Sequence, residues 1–227
     1  MLALLAAVTQ HYVPIPRNWP ALIIALVVTT YWTRVIIMVR QSRKRAGHGA
    51  NLVPPEKLGR VLRIIWMPVT LLWILLPFIA FFARHRKQYP EELQPLLTIY
   101  QFPQVFGWLA ALLAVTCLWA TFICWHRMGK SWRMGIDPND RTQLVCNGPY
   151  AYVRHPIYGL STLIMIATMV AVPNVLMLAA GVVHLLLLQW EARREERHLT
   201  NVHGDEYREY ARRTGRFFPR SFRRYDA

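Results

Sequence analysis

The amino-acid sequence predicts an all-α protein, a polytopic bundle of about five transmembrane helices whose last two helices form a helical hairpin. Three observations lead to this prediction. The 227 residues are 54% hydrophobic and only 17% charged, the apolar residues fall in long blocks, and the charged residues lie between those blocks. A soluble domain usually carries about a quarter charged residues, and apolar blocks of this length indicate helices that cross a bilayer.

Three apolar segments are long enough to cross a membrane, since a helix needs roughly 20 apolar residues to span the hydrocarbon core. They cover residues 20–39, 61–83 and 104–125. Two shorter apolar segments, 157–172 and 175–190, lie on either side of Pro173-Asn174, which is a turn signal. We therefore expect a helical hairpin there, with each arm reaching only about 24 Å.

The distribution of charge predicts the orientation. Of the 27 Lys and Arg residues, six lie in 40–60, five in 126–156 and ten after residue 190. Basic residues concentrate on the cytoplasmic side of membrane proteins, so both loops and the tail are expected in the cytoplasm, in a bacterial membrane. N-terminal transmembrane helices (1–103) then precede a core (104–227) that ends in a cytoplasmic helix. Arg63, near the cytoplasmic end of the second span, is interpreted as a residue that snorkels to the membrane surface.

Polar residues concentrate directly before the fourth predicted helix, where residues 143–158 read QLVCNGPYAYVRHPIY. Gly148-Pro149 predicts a turn, and Pro156 suits the first helical position, where the N–H that it lacks would be unpaired. Arg154, His155 and Tyr158 are thereby grouped at a helix N-terminus, whose free N–H groups favour a carboxylate or a phosphate. A belt of basic and aromatic residues at the membrane surface is the alternative interpretation.

A second polar segment continues the fifth helix beyond its apolar block. Residues at offsets of 0, 4, 7 and 11 share one face of a helix, so one stripe carries His184, Leu188, Glu191 and Glu195. Glu196 points about 100° away from Glu195. Glu191 and Glu195 repel each other at this spacing unless a cation lies nearby, and a positively charged ligand would relieve the repulsion. A solvated charged helix is the alternative interpretation.

Nucleic acid and metal ions are not expected as ligands. The formal net charge of +15 is not accompanied by a basic helix with interleaved aromatic residues, and attraction to an anionic bilayer surface explains the same excess. Glu195-x-x-His198 matches half of a di-iron carboxylate pattern, but the second copy and two further glutamates that such a site needs are missing. The expected partners are the lipid bilayer and a lipid-like small molecule.

Taken together, these patterns resemble a known family. The run from Leu144 to Tyr158 is followed about forty residues later by Glu195-Glu196-x-x-Leu199, and GKSWRMG at 129–135, Gly204-x-x-Tyr207-x-x-Tyr210 and the RFFP of 216–219 accompany them. This combination resembles the isoprenylcysteine carboxyl methyltransferases and phospholipid methyltransferases, which are integral membrane enzymes. The resemblance covers roughly residues 104–220.

The resemblance implies an S-adenosylmethionine-dependent methyltransferase whose cofactor pocket faces the cytoplasm. Carried over position by position, the cofactor contacts are Gln143, Leu144, Val145, Tyr150, His155, Pro156, Tyr158 and Glu195. The catalytic residues would be Arg154 and Glu196. Glu191 occupies the position at which isoprenylcysteine-type enzymes are expected to carry an arginine that contacts the substrate carboxylate, and Arg194 could supply that charge. Glu191 and Arg194 are therefore the expected substrate contacts.

The acceptor is expected to be a lipid-like or amphipathic molecule that enters sideways from the bilayer. Two other functions remain open from the sequence. A membrane reductase of the sterol-reductase kind shares a similar Arg-His-x-x-Tyr pattern and would bind NADPH instead. A non-catalytic membrane protein, such as a small channel or an assembly factor, would bind neither cofactor.

Overall fold

The computed structural model describes residues 18–46, 57–82, 103–129, 132 and 144–225. Within these ranges the chain forms six α-helices and no β-strand, which confirms the predicted all-α class. The helices are α1 (Trp19–Ala46), α2 (Lys57–Phe82), α3 (Gln104–Met128), α4 (Pro156–Ala171), α5 (Val175–His203) and α6 (Asp205–Arg213), and a short 3-10 turn (Gly148–Ala151) precedes α4.

Four of the helices, α1, α2, α3 and α5, are long and apolar enough to cross a membrane. They indicate an integral membrane protein. The two arms that the sequence predicts to be short differ in the structure. Helix α5 continues into polar sequence and has 29 residues, whereas α4 has only 16 residues. At 1.5 Å per residue α4 is about 24 Å long, which is less than the roughly 30 Å of a hydrocarbon core.

The predicted helical hairpin is present, and Asn174 defines its turn. Helix α4 ends at Ala171 and α5 begins at Val175. The side-chain oxygen of Asn174 accepts a hydrogen bond of 2.7 Å from the backbone N–H of Met177. This N-cap satisfies one of the N–H groups that the first turn of a helix leaves unpaired.

Asn18 connects the start of α1 to the end of α4. Its Oδ1 accepts from the N–H of Ala21 at 3.1 Å, and its Nδ2 donates to the carbonyl of Ala171 at 2.9 Å. The rings of Trp19 and Phe81, near the end of α2, lie 5.2 Å apart. The start of α1 and the ends of α2 and α4 therefore lie at one end of the bundle. This arrangement agrees with the alternating crossings that the charge pattern predicts.

Helix α1 packs against α2, α3 and α4. Tyr31 lies in an aromatic cluster at this junction, with its ring centroid 5.2 Å from that of Trp125 and 6.4 Å from that of Trp73. The indole N–H of Trp73 donates to the hydroxyl of Thr168 at 2.9 Å. Polar groups inside a bilayer must find partners within the protein, so these contacts fix the N-terminal helices against the hairpin.

Replacing Asn174 with alanine is expected to lower the free energy of unfolding by about 1 kcal/mol, because the N–H of Met177 loses its acceptor. Asn174→Ser keeps a capping oxygen and is expected to retain most of the stability. Thermal unfolding of the detergent-solubilised protein measures both variants. Equal losses for alanine and serine would contradict a capping role.

Candidate active site

The loop before α4 folds as its sequence predicts. Gly148 has a positive φ of 58°, a conformation that glycine adopts without steric cost, and the 3-10 turn follows directly. Pro156 occupies the first position of α4, and Tyr150 is buried. The turn and the helix start together fix His155 between them, with its side chain buried.

The C-terminal tail, which from here on means residues 214–225, is held on this loop by backbone hydrogen bonds. The N–H of Arg154 donates to the carbonyl of Gly215 at 2.8 Å, and the N–H of His155 donates to the carbonyl of Arg216 at 2.9 Å. In return the N–H of Gly215 donates to the carbonyl of Tyr152 at 3.1 Å. The tail therefore packs directly behind the residues that the sequence analysis singles out.

A glycine on α4 allows this close approach. A Cβ atom at Gly159 would lie 2.3 Å from the carbonyl oxygen of Phe217, so a larger residue there would displace the tail. The ring of Phe217 meets the rings of His155 and Tyr158 edge-on, with centroids 6.3 Å away in both cases. Phe217 thus closes one side of the His155–Tyr158 pair.

A cavity with both charged and apolar side chains lies where the start of α4 and the polar part of α5 meet α1, α2 and α3. The residues predicted from sequence that line it are Tyr150, Arg154, His155, Pro156, Tyr158, Glu191 and Glu195. The two polar segments therefore share one cavity. In the part of the chain that the structure describes, other predicted site residues do not line it, namely Leu144, Val145, Arg194 and Glu196. Gln143 lies outside the described residues.

Glu195 joins the two segments. One carboxylate oxygen accepts a hydrogen bond of 2.6 Å from the hydroxyl of Tyr158. The other lies 3.3 Å from Nδ1 of His155. The rings of His155 and Tyr158 are stacked, with an interplanar angle of 4° and centroids 5.3 Å apart. The carboxylate and the two rings therefore form a pre-arranged wall of the cavity.

The predicted stripe of α5 faces the cavity, as helix geometry requires. His184, Leu188, Glu191 and Glu195 all line it. The side chain of Glu196 turns away from this stripe, toward the loop and the tail. The angular separation of the two adjacent carboxylates that the sequence predicts is therefore observed.

Glu196 is the centre of an ion-pair cluster. One of its oxygens accepts from Nε of Arg154 at 3.0 Å, and the other accepts from Nη2 of Arg216 at 2.6 Å. Arg154 also donates to the carbonyls of Ala211, at 2.8 Å, and Thr214. These contacts hold the loop, the tail and α5 together. They favour a positioning role, and the catalytic roles that the resemblance implies for Arg154 and Glu196 stay predictions.

His155 lies between two carboxylates. Its Nε2 is 3.6 Å from Glu196, which is beyond hydrogen-bond distance, and this buried atom has no hydrogen-bond partner among the described residues. Burial by itself lowers the pKa of His155, but its contacts with Glu195 and Glu196 outweigh that effect and raise the pKa above its ordinary value of 6.5. The two carboxylates therefore favour protonation of His155 relative to a free imidazole.

The N-terminal helices also line the cavity, which no sequence motif indicated. Their contributions are Tyr31, Trp32, Val35, Arg63 and Trp66. The side chain of Arg63 is only 14% exposed, and its Nη2 lies 3.9 Å from a carboxylate oxygen of Glu191. The interpretation of Arg63 as a snorkelling residue is therefore wrong, because its charge points into the bundle. The available signal was an arginine in an apolar run, which usually marks a functional site.

Cations of the protein itself relieve the repulsion between Glu191 and Glu195. Glu191 lies between Arg63 and Arg194, whose Nη1 is 3.4 Å from the other carboxylate oxygen. His155 plays the same part for Glu195. A positively charged ligand is therefore not needed to make this pair of carboxylates compatible.

Deeper in the bundle, His184 gives the cavity a polar inner end. The indole N–H of Trp66 donates to its Nδ1 at 3.3 Å, and its Nε2 lies 3.1 Å from the hydroxyl oxygen of Ser161. Because Nδ1 accepts, the neutral ring carries its proton on Nε2 and donates it to Ser161. Both residues line the cavity.

The helix bundle and its cavity are those of a polytopic membrane protein with a charged site at one end of the helices. Residues 105–206 match the family model described as phospholipid methyltransferase. This match confirms the resemblance that the motifs indicate, and it supports a membrane methyltransferase. The matched segment contains α3, α4 and α5. Arg63 and the other cavity-lining residues of α1 and α2 lie outside the matched segment.

Two curated bacterial proteins are similar to part of the chain. The nickel-cobalt-cadmium resistance protein NccN of Alcaligenes xylosoxydans xylosoxydans is 36% identical over 113 residues, covering 49% of this chain and 51% of that protein. The cobalt-zinc-cadmium resistance protein CzcN of Cupriavidus metallidurans is 35% identical over 99 residues, covering 41% of this chain and 44% of that protein. The chain thus spans about half the length of these relatives.

Glu196→Gln is expected to loosen the tail, because Arg154 and Arg216 lose the charge that they share. Hydrogen bonds to charged groups contribute about 1.5–3 kcal/mol, so trypsin should cut after Arg216 roughly tenfold faster or more. Glu209→Gln is the control, since Glu209 pairs only with neighbours on α6 among the described residues. Equal cleavage rates in the two variants would show that the ion pairs of Glu196 do not hold the tail.

The raised pKa of His155 predicts that the stability of the protein depends on pH. A raised pKa in the folded state stabilises the fold fully below the ordinary pKa of 6.5, and the stabilisation is lost as the pH rises through the raised value. The melting temperature of the protein should therefore fall above neutral pH relative to that of His155→Gln. Melting curves between pH 5.5 and 9 measure this difference. If the melting temperatures of the two proteins change in parallel with pH, the raised pKa of His155 is refuted.

Proposed function

We propose that this protein is an S-adenosylmethionine-dependent membrane methyltransferase that acts on a lipid-like, amphipathic acceptor. The observation that carries the proposal is the common wall formed by His155 and Tyr158 from one segment and Glu195 from another. The match of residues 105–206 to phospholipid methyltransferases supports the same chemistry.

The residues present fit this cofactor. His155 lies between two carboxylates, with Nδ1 3.3 Å from Glu195 and Nε2 3.6 Å from Glu196, so its ring would act on the cofactor by orienting Glu195. The side chain of Glu195 is 24% exposed and can accept from an amino group or from ribose hydroxyls. The aromatic rings of Tyr150 and Tyr158 suit adenine or a sulfonium centre. When bound, the cofactor supplies a methyl group that is already activated for transfer.

The protein's own contribution would be to position the reactants and to exclude water. Glu195 is held in one orientation by Tyr158 and His155 before any ligand binds. The Arg154–Glu196 pair keeps the loop and the tail closed behind His155. A rigid wall of this kind lowers the cost of ordering side chains when the cofactor binds.

The acceptor is proposed to enter from the bilayer and to occupy the end of the cavity that α1 and α2 line. Trp32, Val35 and Trp66 lie there together with Tyr31 and Arg63, and mostly apolar walls with a few polar groups are typical of ligand sites. Arg63 lies beside Glu191. With Glu191 and Arg194 as the expected substrate contacts, Arg63 is the further candidate for binding an acidic group of the acceptor.

The basic end of the bundle, which carries this site, is proposed to face the cytoplasm of a bacterial cell. Six basic residues in 40–60, five in 126–156 and ten after residue 190 lie in segments connected to this end. The positive-inside rule supports that orientation, and it gives the site access to a cytoplasmic cofactor.

Isothermal titration calorimetry with the purified protein tests the cofactor. We expect S-adenosylmethionine to bind, and Glu195→Gln to bind it about tenfold to a hundredfold more weakly, because a hydrogen bond to a charged group is worth about 1.5–3 kcal/mol. Glu206→Gln, on the exposed face of α6, is the matched control. Preferential binding of NADPH would favour a reductase, and binding of neither cofactor would favour a non-catalytic protein.

Mass spectrometry of a bacterial lipid extract tests the acceptor. The extract is incubated with the protein and methyl-labelled S-adenosylmethionine, and we expect the label in an amphipathic product. Arg63→Gln should lower the yield of product while leaving cofactor affinity unchanged, because Arg63 lies on the acceptor side of the cavity. Label that appears only in water-soluble compounds would exclude a lipid-like acceptor.

The names of the two relatives suggest a second candidate role, in resistance to divalent metal cations. Complementation of a deletion strain grown with nickel, cobalt or cadmium tests that role. If resistance depends on methyl transfer, Glu195→Gln should fail to restore growth and Glu206→Gln should restore it.

A further inference from the structure

A second concavity lies beside the loop, outside the candidate active site. Its walls are apolar side chains from α3, α4 and the tail, chiefly Ile123, Leu160, Leu163, Phe217, Phe218 and Phe222. Pro156 lines both this concavity, called the groove below, and the cavity of the candidate active site. The methyl-transfer proposal assigns no ligand contact to Leu160, Leu163, Phe218 or Phe222.

The groove lies at the depth where the apolar helices meet the basic end of the bundle. Ile123 is in the last two turns of α3, and Leu160 and Leu163 are in the first two turns of α4. The outer surfaces of helices that span a bilayer are covered by lipid chains. At this depth a lipid would place its upper acyl chain in the groove and its headgroup near the tail.

The tail combines exposed aromatic rings with exposed arginines. Phe218 is 52% exposed and Phe222 is 94% exposed, although this segment lies beyond the membrane-spanning helices. Arg220 and Arg223 lie within two residues of these rings in the chain and are exposed as well, and Nη1 of Arg220 donates to the carbonyl of Arg212 at 3.3 Å. Rings that enter the acyl boundary and basic side chains that remain at the phosphate level are typical of segments that lie on an anionic bilayer.

We propose that this groove binds an anionic phospholipid of the bilayer, with an acyl chain against Leu160 and Leu163 and the phosphate-bearing headgroup against Arg220 and Arg223. Phe222 covers the bound chain. The apolar walls are suited to an acyl chain, and the two arginines are suited to a negatively charged headgroup. The proposal is independent of methyl transfer.

A consequence for the active site follows from the position of the tail. Phe217 packs on the rings of His155 and Tyr158, and the same phenylalanine forms part of the groove. A lipid bound in the groove therefore holds the tail against α4 from the outer side, while the Glu196 ion pairs hold it from the inner side.

Photo-crosslinking in nanodiscs tests the proposal. The full chain carries p-benzoylphenylalanine in place of Phe222, and the nanodiscs contain phosphatidylglycerol and phosphatidylcholine in equal amounts without S-adenosylmethionine. After irradiation, intact-protein mass spectrometry should show adducts with phosphatidylglycerol about fivefold or more above those with phosphatidylcholine. The same probe in place of Arg208, which is 61% exposed on α6, should give few lipid adducts.

Three outcomes of the crosslinking experiment would overturn the proposal. They are equal yields with the two lipids, crosslinks to a second copy of the chain in place of lipid, and no lipid adduct at position 222. A charge-matched pair of variants tests the headgroup contact. Arg220→Gln with Arg223→Gln should remove the preference for phosphatidylglycerol, whereas Arg212→Gln with Arg213→Gln on α6 should keep it. An equal loss in both would indicate a general effect of surface charge and would also refute the site.

Discussion

Helix geometry directs the adjacent side chains of Glu195 and Glu196 about 100° apart on α5, and the rest of the site depends on this divergence. Glu195 reaches the cavity and binds Tyr158 and His155. Glu196 reaches the loop and the tail and binds Arg154 and Arg216. One helix turn therefore both presents a carboxylate to the cavity and fixes the loop and the tail that lie behind His155 and Tyr158.

The charges of the site are balanced within the protein. Each carboxylate of α5 has a cationic neighbour, Arg63 and Arg194 for Glu191, His155 for Glu195, and Arg154 and Arg216 for Glu196. Removing one partner of a buried pair is far more costly than forming the complete pair. The cluster therefore favours a single arrangement of α2, α5, the loop and the tail. A ligand that enters the cavity meets side chains already oriented by these pairs.

The bilayer and the site are connected through the short helix α4. Its first turn carries Tyr158 on the cavity side, and Gly159 allows the backbone at Phe217 to approach closely. Leu160 belongs to the apolar groove. These consecutive residues therefore contact the cavity, the tail and the groove. A shift of α4 relative to the membrane would move the cavity wall and the tail together.

The sequence alone determined the five apolar helices, the hairpin turn at Asn174 and the stripe of α5 that faces inward, because length, hydrophobicity and helical periodicity are local properties. It also indicated the two motif segments and the divergence of Glu195 from Glu196. The inward direction of Arg63 was decided only by tertiary structure, since the same apolar run fits both a snorkelling and a buried arginine. Likewise, only the packing of the loop and the tail against α5 brings Arg154 and Arg216 to Glu196, because the partners of a charge depend on segments distant in the chain.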